Sequence, residues 1–477
     1  MMFNSLTFVG FAAVFFAGWW LVRGRVGRPI AWSYLVVGSL VFYGWSRWTS
    51  TIVLAAIVLV SFGSGRLIAR WPGRRSVLAL AIAGVLGPLL VLKYLDFLIA
   101  QVNALGELAG AGVHVGAVGL AAPLGISFFT LSAISYAIDV HTEEIQPTRN
   151  VMEHAAFLAV FPVLISGPIV RGHQVLPQLA ELPATTAEQR WAGLKQITYG
   201  LVKKCIIADH IAGFTSEIYD LNAPPASSGL WWFVTALYAI QIYCDFSGYT
   251  DIALGLGRWM GLALPENFRH PYLSTSIREF WGRWNISFSS WLRDYIYFPL
   301  ARVWGGKFGA VSAVMVTFVV SGLWHGAAWT FVVWGMLHGV LLIVEHWSGW
   351  DRRIKALPGG RILATLIVFF TISLVLVVFR ANDLGQAWSI FKIMFSFERT
   401  PYSWVMRDRT SFHEPTWLLL PAVFVIVEAR HLVDFDSSKF AVAIRDRTKL
   451  GWVVIALLLL ACVYLRGRAS PFIYAGF

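Results

Sequence analysis

The chain has 477 residues, 57% of them hydrophobic and only 13% charged, against roughly 25% charged in an ordinary soluble domain. That balance excludes a soluble globular protein and predicts an all-α polytopic membrane protein. The net charge of +12 comes from Lys and Arg scattered over short loops, which reads as membrane topology and excludes a basic domain built to grip nucleic acid.

Apolar cores are expected near 5 to 22, 31 to 46, 49 to 64, 76 to 99, 117 to 138, 152 to 170, 229 to 247, 309 to 328, 329 to 347, 362 to 380, 416 to 430 and 450 to 465. Several of this dozen fall short of the roughly 20 residues that span a bilayer. The first core is followed, not preceded, by Arg23, Arg25 and Arg28, so it is expected to remain as a helix with its N-terminus outside. Arg66, Arg70, Arg74 and Arg75 in loop 65 to 75 support that orientation, since the stretch 100 to 116 has no Lys or Arg. Arg352, Arg353, Lys355 and Arg361, and then Lys439, Arg445, Arg447 and Lys449, are placed in the cytoplasm by the same rule. Cys205, Cys244 and Cys462 are isolated thiols with neither a disulfide framework nor metal-ligand spacing, so no metal is expected. No repeat or linker interrupts the chain, and the polar stretches 171 to 190 and 397 to 415 are loops. A single membrane domain over 1 to 477 is the simplest organisation.

Charges return between 243 and 308 while aromatics stay dense. Phe280, Trp284, Phe288, Trp291 and Tyr295 recur at helical spacing, predicting one interfacial helix with an aromatic stripe and with Arg278, Glu279, Arg283, Arg293 and Asp294 elsewhere around it. Such a helix either anchors the fold or lines a site. Within it Asn285 either bonds a neighbouring helix or orients a substrate carbonyl, because a carboxamide both donates and accepts. Asp245 and Asp251, at an apolar helix end, need an Arg or backbone partner or else serve a substrate.

"SGLWHGAAWTFVVWGMLHG", residues 321 to 339, contains His325 and His338 but no Asp, Glu, Lys or Arg. On one continuous helix the two imidazoles would stand about 20 Å apart and about 220° around the axis, so they would not serve one atom unless the helix breaks at "HGAAW". His338 fits an imidazole bonded to a neighbouring helix. His325, between Trp324 and Gly326 and in the outer half of its helix, is placed to take a proton from a hydroxyl entering from outside.

Those stretches resemble the membrane-bound O-acyltransferases (MBOAT), and within them the bacterial branch of the alginate O-acetylation membrane subunit and the D-alanyl transfer protein. The resemblance rests on "DFSGYTDIALGLGRWMGLALPENFRHPYL", "EFWGRWNISFSSWLRDYIYFPL", "SGLWHGAAWTFVVWGMLHG" and "FPVLISGPIVRGHQVLPQL", and covers about 160 to 340 with gaps. It implies a ring of about a dozen or more transmembrane and interfacial helices around a central tunnel. It implies that His325 is the base and that Asn285 occupies the second site, where "WNIS" replaces the branch's usual "WHIS". Trp324, Trp284, Asp245, Ser289 and Arg293 are expected to bind substrate. The implied reaction moves an acetyl group from acetyl-CoA or an acetyl carrier in the cytoplasm, with no tightly bound cofactor, to a hydroxyl for an exported polysaccharide. An extracytoplasmic serine-hydrolase-like partner, polysaccharide synthesis and secretion machinery, and the bacterial inner membrane complete the expectation. The alternatives are a polysaccharide or lipid-linked sugar transporter, and a lipid or protein acyltransferase of the same family.

Overall fold

The computed structural model describes residues 1–112, 114–221, 226–397, 448–465, 467 and 472. The expected span 416 to 430, the polar loop from 398 to 415 and the basic positions Lys439, Arg445 and Arg447 lie outside the described residues. All regular elements that are described are helical. In chain order they include α1 (Leu6–Val22), α2 (Arg28–Gly44), α3 (Thr49–Arg70), α4 (Arg75–Leu108), α5 (Ile126–His141), α6 (Val151–Ala159) and α7 (Gly172–Glu181). Next, α8 (Ala187–Leu201) runs without a break into a π turn (Val202–Ala208) and α9 (Asp209–Tyr219), followed by α10 (Ser228–Met260). Then come α11 (Ile277–Arg283), α12 (Ile286–Leu292), α13 (Phe298–Trp304), α14 (Gly306–His325), α15 (Trp329–Ser348), α16 (Gly360–Arg380), α17 (Leu384–Ser396) and α18 (Lys449–Tyr464).

Among the described residues, five helices are long and apolar enough to cross a membrane: α3, α4, α14, α15 and α16. The sequence reading counted more because it scored apolar content alone. α1 is apolar throughout but has 17 residues, and α10 has 33 residues but carries Gln241, Asp245 and Asp251. Two expected spans are cut short by the backbone. The 117 to 138 run becomes helical only at Ile126, after Pro123 and a left-handed Gly125 (φ 77°). The 152 to 170 run breaks at Val160 (φ −59°, ψ 115°) and resumes only as the four-residue helix Phe161–Leu164, with Pro162 in its first turn, before Gly167 and Pro168.

Residues Met1–Gly193 with Ala253–Pro265 form one compact unit, and Leu194–Ile252 with Glu266–Phe477 form the other. In the first, Phe161 packs edge-on against Phe11 and Phe15 at 5.3 and 5.1 Å and lies tilted on Phe42 at 5.2 Å, joining α1 and α2 to the segment after α6. His154 there is fully served: Nε2 meets Ser61 Oγ at 3.0 Å and Nδ1 meets Thr148 Oγ1 at 3.2 Å. The second unit contains every candidate site residue.

Candidate active site

The predicted aromatic helix is two helices. Trp284 is extended (φ −102°, ψ 127°) and Asn285 is left-handed (φ 43°, ψ 54°), so the chain turns sharply between α11 and α12. A left-handed conformation is costly for most side chains and mild for Asn, whose short polar group tolerates it. Neighbouring backbone holds the break on both sides: Arg269 N donates to Arg283 O (3.0 Å), Ile286 N to Asn267 O (2.9 Å) and Ser287 N to Asn267 Oδ1 (3.1 Å). Ser276 caps α11 by accepting from Glu279 N at 3.1 Å. The buried Glu345 carboxylate of α15 accepts from Ile277 N (2.5 Å) and Arg278 N (3.0 Å), a charge at a helix N-terminus that favours the dipole. α11 is thereby tied to α15.

The histidine stretch also breaks. α14 ends at His325, Gly326 (φ −166°, ψ 154°) and Ala328 (φ −148°, ψ 153°) are extended, and α15 begins at Trp329. Any β-carbon on Gly326 would strike the Phe331 ring. The resulting hairpin is closely packed because Gly322 lies against Phe331 O and Gly335 against Phe318 O, with no room for a methyl at either. Small residues at a helix crossing let two backbones approach in this way.

This turn overturns the single-helix distance argument for the two histidines. His325 lies edge-on to the Trp334 indole at 4.8 Å, and His338 lies edge-on to the same indole at 4.7 Å. His325, 3% exposed, is further walled by Phe288 of α12 (5.8 Å), Trp324 (4.9 Å) and Phe379 of α16 (5.4 Å). Phe288 stacks on Trp324 at 4.2 Å, so the helix that begins just after Asn285 reaches the His325 enclosure. Four rings from four helices thus enclose the His325 imidazole.

The other candidates are distributed unevenly. Trp284 is buried among Phe280 (5.5 Å), Phe268 (5.1 Å) and Tyr243 (6.2 Å), rings that connect to Trp334 through Trp281. Asn285 is 2% exposed. Ser289 Oγ donates to Trp284 O at 3.0 Å, closing the local turn. Arg293 is exposed and pairs with the adjacent Asp294 at 2.8 Å. Asp245 is buried with Lys204 Nζ at 2.5 Å, and Lys204 also reaches Asp209 at 2.9 Å. Asp251 pairs with Lys203 at 2.9 Å and accepts from Gln196 at 3.2 Å. The partners of both aspartates are thus lysines. They stand together in the π turn, and the Lys-Lys pair inside "YGLVKKCIIADH" was the overlooked signal. Phe288 belonged to the aromatic stripe read from the sequence, whereas Trp334 and Phe379 were not singled out, since aromatics inside apolar helices give no cue of their own.

Among the described residues, Asp139, Glu144 and His173 of the first unit bring potential metal-ligand atoms within 4.8 Å of one another, with His173 Nδ1 at 3.6 Å from Asp139.

A family model for the membrane-bound O-acyltransferases matches residues 120–377. The protein named probable alginate O-acetylase AlgI in Pseudomonas aeruginosa is 36% identical over 400 residues, 83% of this chain and 75% of the relative. The peptidoglycan O-acetyltransferase of Helicobacter pylori is 30% identical over 86% of this chain and 83% of its own. The teichoic acid D-alanyltransferase of Bacillus subtilis is 29% identical over 52% of this chain and 65% of its own. The chain belongs to the membrane-bound O-acyltransferase family. It is therefore a multi-pass membrane protein and an O-acyltransferase, which removes the transporter alternative.

Proposed function

We propose that the chain is an O-acetyltransferase of the bacterial inner membrane that passes acetyl groups to an exported polysaccharide. The observation that carries this reading is the placement of His325 at the α14–α15 turn inside a shell of four aromatic rings. In such a shell the imidazole accepts the proton of an acceptor hydroxyl. The hydroxyl oxygen bonds to the acetyl carbon, the C–S bond of a thioester breaks, and the proton passes from His325 to the departing thiolate. Asn285 aligns the reacting groups from the start of α12, with Trp284, Trp324, Ser289 and Arg293 retained as candidates for the substrate path, while Asp245 is taken up by Lys204.

The donor in this reading is acetyl-CoA or an acetylated carrier arriving from the cytoplasm, and the acceptor lies on the opposite side, reached through a tunnel ringed by helices. The N-terminus is outside, and an extracytoplasmic serine-hydrolase-like partner completes transfer onto the polymer together with its secretion machinery. The relatives named for alginate and peptidoglycan acetylation support the polysaccharide assignment.

Membranes carrying the protein, supplied with labelled acetyl-CoA, test the reading by alkali-labile label. His325→Ala and His325→Gln are each expected to lower transfer by about 100-fold or more, since Gln hydrogen-bonds but carries no proton. Equal labelling by wild type and either variant would falsify the role.

A further inference from the structure

Three buried ring nitrogens beside the His325 enclosure have no hydrogen-bond partner among the described residues: Trp281 Nε1, Trp334 Nε1 and His338 Nδ1. They belong to three rings in mutual contact. Trp281 lies 4.9 Å from His338 and 6.0 Å from Trp334, and Trp334 lies 4.7 Å from His338. The Trp334 indole also contacts His325, at 4.8 Å. Each ring is at least nine-tenths buried. Buried polar atoms are nearly always paired, and a cluster that is not invites a functional explanation.

The chemistry of the atoms selects the ligand. An indole nitrogen is only ever a donor, so two of the three positions demand an acceptor and refuse a cation. The surroundings are apolar, which penalises a permanently charged anion. A neutral oxygen that gains negative charge only during reaction meets both conditions. We propose that Trp281, Trp334 and His338 form a subsite for the carbonyl oxygen of the incoming acyl group, next to the base. The proposal rests on the acyltransfer reading above and adds the group that stabilises the developing negative charge. Because α11 is fixed to α15 by Glu345, the Trp281 donor is held against Trp334 and His338 of α15 before substrate arrives, which is the preorganisation such stabilisation requires.

Trp334→Phe and Trp281→Phe each remove a donor and keep a ring. In membranes supplied with labelled acetyl-CoA, each is expected to lower kcat by about 100-fold while leaving the KM for acetyl-CoA within about twofold, the pattern of a contact made in the transition state. Trp347→Phe, on the exposed face of α15, serves as the control and is expected to behave as wild type. Folded protein is measured in parallel by monodispersity and melting in detergent. Wild-type kcat in both Phe variants, or a loss fully accounted for by missing folded protein, overturns the subsite and leaves a structural water as the occupant. If His325→Ala is inactive in the same assay while both Phe variants turn over normally, this subsite alone fails. If His325→Ala is fully active, the underlying acyltransfer reading fails with it.

Discussion

Two buried polar regions of the second unit solve the same problem in opposite ways. At the π turn, Lys203 and Lys204 meet three carboxylates at 2.5 to 2.9 Å, and the Lys204 ammonium also sits 4.4 Å from the Phe472 ring. At the α14–α15 turn, His325 and His338 meet indoles and phenyl rings. The first arrangement satisfies its charges internally and has little left to offer a ligand. The second is aromatic, with donors left over in Trp281 and Trp334. Burial of a polar group therefore does not by itself mark a site in this protein; what distinguishes the two is whether the neighbours have already answered it.

The contrast is sharpest at Lys204. Lys204→Met leaves Asp209 and Asp245 facing each other without their cation, and is expected to destabilise the protein by about 3 to 5 kcal/mol, read as a lower melting temperature in detergent. Acetyl transfer per folded molecule should persist. A variant that melts normally but has lost transfer would move Lys204 and Asp245 from scaffold to chemistry and erase the distinction.

A smaller effect separates backbone from side chain at Asn285. Asn285→Ala forces a β-branchless but chiral residue into the left-handed region, at about 1 kcal/mol, whereas Asn285→Gly adopts it freely. Both remove the carboxamide. If the amide aligns substrate, both variants should lose transfer to a similar degree, by roughly 10-fold, and only the Ala variant should melt earlier. Normal transfer in the Gly variant would confine Asn285 to its turn.

The smallest expected effect concerns pH. Burial alone would push the pKa of the Glu279 carboxyl above the usual 4.5, but hydrogen bonds from Thr275 N and Oγ1 and the Arg283 guanidinium outweigh that and hold it below. A depressed carboxyl contributes stability that is present above the unfolded value and lost as pH falls through the folded one. Melting curves between about pH 3 and 6 should therefore show a steeper acid limb for wild type than for Glu279→Gln, by a fraction of a kcal/mol for so exposed an ion pair. Parallel limbs would remove Glu279 from the capping of α11.

Much of the architecture was legible because apolar length is a direct physical demand of lipid. The starts and ends of α1, α2, α14, α15 and α16 fall within about three residues of the hydropathy reading, whereas α3 runs on to Arg70, well past the expected end at 64. The breaks were not. Periodicity carried Phe280 through Tyr295 across Asn285 as though the backbone were uniform, and a left-handed residue leaves no mark in a hydrophobic pattern. For the histidines, the proviso of a helix break at "HGAAW" was the correct branch, and the glycine-to-carbonyl contacts at 322 and 335 explain why the chain turns back so tightly. His325 and Asn285 were singled out from motif and composition, whereas the walls of the enclosure come from helices far apart in sequence and become visible only in three dimensions.

The methyl-free seam between α14 and α15 limits how the enclosure can breathe. Helices meshed at Gly322 and Gly335 have no slack for sliding, so His325 is effectively bolted to Trp334. The remaining panels are packed as well, Phe288 against Trp324 at 4.2 Å and Phe379 against Trp334 at 5.3 Å, so any reactant that met His325 would first have to displace a ring.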